Sequence, residues 1–261
     1  MNILESLLLG VFQGITEFLP ISSSGHLILA EHFLGLDAST LLPFDALLHG
    51  GTLVSLMWLF WREIMQLTKT TLMPHKASKK ERQLLLFIVI AALPTALVGL
   101  MFKDQIEMMR SPFSVAILFI VTGVMFLMVE TFLTSQHDKI TYKNAFAVAT
   151  LQILSLLGGV SRSGTCTAAA MATGLRREVA TRFAFLVGLP ILGGATLISM
   201  LDVWQGNATL PALLPSMIAF ITSAVVGYFV AKYLLEFFKK YTLRPFGVYL
   251  IGAGMMTLLI L

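Results

Sequence analysis

Charge is scarce in this sequence. Of its 261 residues only 12% are Asp, Glu, Lys or Arg, against about 25% in soluble globular domains. With 57% hydrophobic residues and a mean hydropathy of +0.85, that shortage excludes a soluble domain and indicates an integral membrane protein. Cysteine is nearly absent too: Cys166 stands alone, so neither an internal disulfide nor a cysteine metal cluster is available. Strand-like alternation of apolar and polar residues is missing, and the apolar runs reach about 18 residues or more, which excludes a barrel and gives helices. No basic leader precedes the first apolar stretch, so no cleavable signal peptide is expected. The net charge of +4 reads as a membrane-topology signal and not as a nucleic-acid footprint.

What is present is an all-α polytopic pattern. Uninterrupted spans are expected near residues 42–61, 84–102, 113–133, 182–201, 212–235 and 244–261, about six crossings of bilayer length. Segments 2–35 and 144–175 differ, because glycine, proline and serine split each into two pieces too short to cross. They are expected to be re-entrant helix hairpins, since broken backbone at membrane depth must be buried in protein or line a wet cavity. Basic residues cluster at Arg62 to Arg82, Lys139 and Lys143, Arg176 to Arg182, and Lys239 to Arg244, and these loops are expected to be cytoplasmic. Loop 103–112 is assigned outside despite Lys103 and Arg110. Both termini then face outward.

An internal repeat is expected within a single membrane domain, 1–261. Superposing Ser22-Ser23-Ser24-Gly25 on Ser161-Arg162-Ser163-Gly164 also brings Gln13 onto Gln152, and Val98-Gly99 and Pro112-Phe113 find counterparts at Val226-Gly227 and Pro245-Phe246. Repeat one covers 1–134 and repeat two 140–261, each a hairpin plus three spans. Three is odd, so the halves insert with opposite orientation, which puts a site at their interface near mid-membrane.

The hairpins hold the polar chemistry. Gln13 and Glu17 are four apart and share a helix face. Pro20 breaks the helix; Ser24 is then expected to cap a helix starting near Gly25 and His26, whose N–H groups suit an anion. Gly25 should let a ligand approach the backbone closely. The second hairpin supplies Ser161, Ser163, Gly164 and Thr165, with Arg162 projecting from its turn. Arginine forks onto phosphate oxygens. An ionised Glu17 needs a bridging divalent cation, a proton, or Arg162 as partner. Ser23 and His26 are three apart, near enough for the imidazole to take a hydroxyl proton. This chemistry favours a phosphate-type ligand, with transport of an anion as the rival.

Other polar residues have plainer readings. Asp45 and His49, four apart at a span entrance, are either a second shell to the site or an interfacial pair. Arg176, Arg177 and Arg182 read as positive-inside anchors, partly offset by Glu178. Glu130, Trp58, Trp61 and Trp204 read as span-end residues, and Cys166 as a small packing residue.

Residues 13–26, Gln-Gly-Ile-Thr-Glu-Phe-Leu-Pro-Ile-Ser-Ser-Ser-Gly-His, closely resemble the first signature of the bacterial undecaprenyl-diphosphate phosphatase family, the one linked to bacitracin resistance. Residues 159–165, Gly-Val-Ser-Arg-Ser-Gly-Thr, resemble its second, and Arg177-Glu178 through Phe183-Ala184-Phe185 matches as well. The resemblance implies an inverted-repeat fold in the bacterial inner membrane, with a site opening to the outer side. It also implies hydrolysis of undecaprenyl diphosphate to undecaprenyl phosphate and inorganic phosphate for cell-wall synthesis. Carried over, Glu17 and Gln13 belong to an acidic motif for diphosphate and a divalent cation, Mg2+ or Ca2+. Ser23 corresponds to the proposed nucleophile, His26 to the adjacent base or acid, and Arg162 to the phosphate clamp. Thr16, Ser22, Ser24, Gly25, Ser161, Ser163, Gly164 and Thr165 complete the substrate-binding set. Gln13 stands where many members have Glu, and Gly158 where a proline is common. The implied partners are the polyprenyl diphosphate and membrane lipids, with no nucleic acid; a homodimer is one expected assembly. A transporter or flippase for a lipid-linked anion, and a non-catalytic lipid receptor, are the alternatives from other classes.

Overall fold

Three helices begin in the same way. Asn2, Ser78 and Thr141 each accept a backbone N–H from three residues ahead, and Glu5, Glu81 and Asn144 reach back to the cap. These reciprocal bonds satisfy two of the donors every helix start leaves free. The computed structural model describes residues 2–36, 41–132 and 137–261. In chain order the helices are α1 (Ile3–Thr16), α2 (Ser23–Phe33), α3 (Leu42–Leu59), α4 (Trp61–Leu72), α5 (Lys79–Met101), α6 (Lys103–Met108) and α7 (Pro112–Phe132). They continue with α8 (Tyr142–Gln152), a 3-10 turn (Ile153–Leu156), α9 (Arg162–Ala172), α10 (Arg177–Trp204), α11 (Leu213–Phe237) and α12 (Arg244–Ile260). Among the described residues no strand forms, and the protein is all-α.

Helices α3, α5, α7, α10 and α11 are long and apolar enough to cross a membrane by length and composition. The sixth expected span, α12, is apolar but has 17 residues. The helices of the interrupted segments are shorter: 14 residues in α1 and 11 each in α2, α8 and α9. At 1.5 Å per residue they reach only about 17–21 Å, short of a hydrocarbon core of about 30 Å.

α1 lies along α11, and α8 lies along α5; α3 packs on both α10 and α11, and α7 packs on α12. The α7–α12 contact is close because Gly123 faces the Gly247 carbonyl, where a side-chain carbon would come within 2.5 Å. Small residues let membrane helices gain van der Waals contact in this way. Pro94 and Pro190 lie inside α5 and α10, and each deprives its helix of one backbone bond. Near the first, Gln152 Nε2 donates to the Ala91 carbonyl and to Thr95 Oγ1, both at 3.2 Å.

Several span-end readings change in three dimensions. The Glu130 side chain, 4% exposed, is tied to distant residues: Arg177 donates to it twice, at 3.0 and 2.6 Å, and Leu243 N–H at 2.8 Å. Arg177 thus ties α10 to α7 and, through Glu130, to the start of α12. Arg176 pairs with Asp138, and Arg182 with Glu63. Trp58 and Trp204 do project outward, 74% and 83% exposed. Cys166 is fully buried, with its Sγ 3.1 Å from Gln152 Oε1. Gln152 thus serves helix packing, unlike its sequence counterpart Gln13.

Candidate active site

α1 ends at Glu17, whose N–H still bonds the Gln13 carbonyl at 2.9 Å, and the chain turns through Pro20 into α2. The cap of α2 is Ser22 and not Ser24. Its Oγ accepts from Gly25 N–H at 3.3 Å, and the helix starts at Ser23. Ser22 is also the one non-glycine residue with positive φ among those described, at 70°. Such strain persists only where the surroundings fix it and tends to gather at functional sites. α9 has the same start: Ser161 Oγ accepts from Gly164 N–H at 3.2 Å. In both helices the first N–H groups beyond the cap, those of Ser23 and Ser24 and of Arg162 and Ser163, have no intrahelical acceptor.

The two tips interlock. A carbon added to Gly25 would meet the Phe119 ring at 2.5 Å and Gly159 at 3.0 Å; one added to Gly164 would meet Phe126 at 2.2 Å and Pro20 at 2.7 Å. On its side-chain side Gly25 gives a ligand no access to the backbone, because Phe119 of α7 and Gly159 of the opposite hairpin fill that space. Ser163 Oγ donates to the Phe18 carbonyl at 3.2 Å across the same junction. Phe18 is fully buried and packs edge-on against Phe185 of α10.

Glu17 is the centre of the cluster. Arg162 pairs with its Oε1. Its Oε2 accepts from Ser23 Oγ at 2.7 Å and from Gln13 Nε2 at 3.0 Å, and lies 3.0 Å from His49 Nδ1. Gln13 Nε2 also lies 2.8 Å from His49 Nδ1. The guanidinium is seated on Gly188 of α10, where any side chain would collide with it. Four helices thus converge on one carboxylate: α1 with Gln13, α2 with Ser23, α3 with His49 and α9 with Arg162.

The structure brings Ser23 to Glu17 and turns His26 the other way. His26 Nδ1 sits 2.8 Å from the Ser22 carbonyl and Nε2 2.8 Å from Tyr249 Oη, with the ring against Phe119 and Tyr249. Because the carbonyl can only accept, Nδ1 carries the proton and Nε2 accepts from the tyrosine. Ser22 and Ser24 hydroxyls are 3.5 Å apart, and Ser161 and Ser163 hydroxyls 3.4 Å apart. Thr16 Oγ1 donates to the Phe12 carbonyl at 2.6 Å, a helix back-bond. Thr165 Oγ1 and Gln13 Oε1 are buried without a partner.

Of two further site neighbours, His49 follows one of the two readings the sequence offered for it, and Tyr249 was not legible in the sequence. His49 is not paired with Asp45: it turns to Glu17, while Asp45 binds Arg110. Tyr249 lies 223 residues from His26 in the chain, and no motif marks it. A histidine inside an apolar span was the available signal for the first.

A family model described as bacitracin resistance protein BacA matches residues 6–256. The chain belongs to that family. Among BacA-type relatives, an undecaprenyl-diphosphatase of Pelobacter propionicus is 39% identical over 261 residues, covering 97% of this chain and 95% of its own. One from Carboxydothermus hydrogenoformans is 37% identical over 266 residues, with 100% and 98% covered. One from Rubrobacter xylanophilus is 35% identical over 257 residues, with 95% and 94% covered. The BacA match takes in both hairpins, and with them every residue of the Glu17 cluster.

Proposed function

We propose that this chain hydrolyses undecaprenyl diphosphate to undecaprenyl phosphate and inorganic phosphate, returning the lipid carrier to cell-wall polymer synthesis. The observation that carries the reading is the shared carboxylate: Glu17 holds the Ser23 hydroxyl at 2.7 Å on one oxygen and Arg162 on the other. The names of the BacA relatives fit it. No observation favours transport.

In the resting site Arg162 occupies one oxygen of Glu17, and Ser23, Gln13 and His49 surround the other. A terminal phosphate between the hairpins draws Arg162 onto its own oxygens, as a planar guanidinium prefers, with the unbonded N–H groups at the starts of α2 and α9 alongside. Glu17, already bonded to the Ser23 hydroxyl, is then free to take its proton. Ser23 Oγ forms a bond to the terminal phosphorus as its proton passes to Glu17. The bond from phosphorus to the bridging oxygen breaks, and undecaprenyl phosphate leaves with that oxygen. Water then attacks the seryl phosphate; the bond from phosphorus to Ser23 Oγ breaks, Glu17 returns its proton to that oxygen and takes one from the water, and inorganic phosphate is released. Phosphoryl transfer depends mainly on positioning and charge neutralisation.

A divalent cation, Mg2+ or Ca2+, fits in one respect: the unpartnered Gln13 Oε1 lies beside Glu17. Among the described residues no three His, Cys, Asp or Glu side chains form a metal cluster. Gln13 and Glu17 would therefore hold such an ion together with substrate oxygens, as is usual for Mg2+. When bound it would neutralise charge on the two phosphates.

The polyprenyl tail has a place among the spans. An apolar cavity of about 600 Å³ lies between α3, α4, α5 and α10. Its wall includes Leu53, one turn from His49, and Leu189, next to the Gly188 seat of Arg162. The pairing of α1 with α11 and of α8 with α5 supports an inverted repeat with two re-entrant hairpins, as does the tip-to-tip contact. The basic loops favour a bacterial inner-membrane orientation with the site opening outward. The test is release of phosphate from a C55 diphosphate by purified protein in detergent, with no gradient or second compartment. Absence of release, with tail movement across liposomes, overturns hydrolysis.

A further inference from the structure

A second polar cluster lies outside this site and has no part in the mechanism above. Glu31 of α2 is completely buried, and neither of its carboxylate oxygens has a hydrogen-bond partner. Asp45 of α3 is 5% exposed, and its Oδ1 is unpartnered as well. Arg110, between α6 and α7, bonds Asp45 Oδ2 at 2.6 Å but stays 4.0 Å from Glu31. The two carboxyl groups flank the same guanidinium nitrogen of Arg110.

Two carboxylates against one guanidinium leave one negative charge uncompensated. A bare ionised carboxylate away from water costs several kcal/mol, and two facing acceptors repel. Among the described residues Arg110 is the only charged group that pairs with either carboxylate. α4, which packs on α3, carries Arg62, Lys69 and Glu63, the last paired with Arg182, and α6 beside Arg110 carries Asp104, Glu107 and Lys103. Of the helices packed on α2 and α3, α1 carries Glu5, bonded to Asn2, and Glu17, bonded to Arg162. α7 carries Glu130, held by Arg177. α10 carries Arg177, Arg182 and Asp202, paired with Glu130, Glu63 and Lys103, and Glu178 in its first turn. α11 has its Tyr228, Lys232, Tyr233 and Glu236 in the half away from Ser216 and Ser223. His26 and His49 are turned to Tyr249 and Glu17, and His32 is exposed. Asp37 lies outside the described residues.

The geometry points to Glu31, Asp45 and Arg110 as a buried binding site for a single proton, shared between the two carboxyl groups. A proton needs only an unpartnered carboxylate oxygen and brings the cluster to zero net charge. A metal ion would need further oxygen ligands and would sit against a guanidinium. The bound proton closes a latch between α2, which carries Ser23 and His26, and α3, which carries His49. Its loss leaves two adjacent negative charges that push those helices apart.

Infrared difference spectroscopy on the full chain in lipid nanodiscs tests this without substrate. The expected result is a protonated carboxylic-acid carbonyl band at neutral pH that shifts in D2O and disappears at alkaline pH. Glu31→Gln and Asp45→Asn should each abolish it, because one carboxylate beside Arg110 needs no proton. Arg110→Gln should carry the band to higher pH, since removing a cation favours the protonated form. In activity, the ratio of Glu31→Gln to wild-type turnover should rise at least about tenfold from neutral to alkaline pH. No such band at neutral pH, or a band unchanged in both carboxylate variants, overturns the assignment. So does a band that appears only when sodium or calcium is removed, which would make the ligand a metal ion.

Discussion

Glu17 and Arg162, 145 residues apart in the chain, form an ion pair where the tips of two helix hairpins meet. The pair does two jobs in the proposed reaction: it keeps Glu17 charged at rest and stores the guanidinium that will take the phosphate. Arg162→Lys keeps the charge but loses the planar fork. It should lower kcat/KM for the C55 diphosphate at least about a hundredfold, a loss of transition-state stabilisation. Steady-state phosphate release measures this; a lysine variant within about threefold of wild type would remove the clamp.

Ser23 is expected to carry the phosphoryl group. Ser23→Ala should reduce turnover at least about a hundredfold. Acid quenching of wild-type protein turning over radiolabelled substrate should leave label on Ser23. Fast turnover by the alanine variant would mean direct attack by water instead.

The interlocked tips tolerate no added volume. Gly25→Ala and Gly164→Ala should each destabilise the fold by about 1–3 kcal/mol through overpacking against Phe119 and Phe126, and should reduce activity by moving the tips apart. Thermal unfolding in detergent checks the first effect. Wild-type stability in both variants would mean the hairpins do not touch there.

Glu130 is a stability residue by its contacts. Removing it by Glu130→Ala strands Arg177 and the Leu243 N–H, and breaking a buried pair from one side costs about 3–5 kcal/mol. The double variant Glu130→Leu with Arg177→Met should recover much of that loss. Chemical denaturation of the single and double variants decides it, and additive losses would count against a buried pair.

Filling the apolar cavity should affect long tails only. Ala96→Trp removes room among Leu53, Leu93 and Leu189 and should raise KM for a C55 diphosphate about tenfold, a loss of roughly two buried methylenes. KM for a farnesyl-length diphosphate should not move. Equal effects on both lengths would place the tail elsewhere.

The helices were largely legible because each follows from local chemistry. The spans are long apolar runs and Pro20 stops α1, whereas the capping boxes at Ser78 and Thr141 start α5 and α8 ahead of the runs expected from 84 and 144. The cap of α2 was less legible: Ser22, Ser23 and Ser24 are equivalent as caps by type, and the turn after Pro20 selected Ser22 by giving it a positive φ. The same holds for buried charges. Glu130 and Arg177 look like span-end residues one at a time, and only their meeting across α7 and α10 buries them.

By itself the sequence determined an all-α membrane protein, two hairpins bearing serine, acid and arginine, and the polar set from which the site is drawn. Periodicity, hydropathy and capping act over a few residues, so they can be read along the chain. The tertiary structure alone decided that Glu17 receives Ser23, Arg162 and His49 together, that His26 turns to Tyr249, and that Gly25 and Gly164 serve contact between hairpins. Those choices depend on which distant helix fills the space beside each residue, and that is settled by packing among α1, α3, α9, α10 and α12.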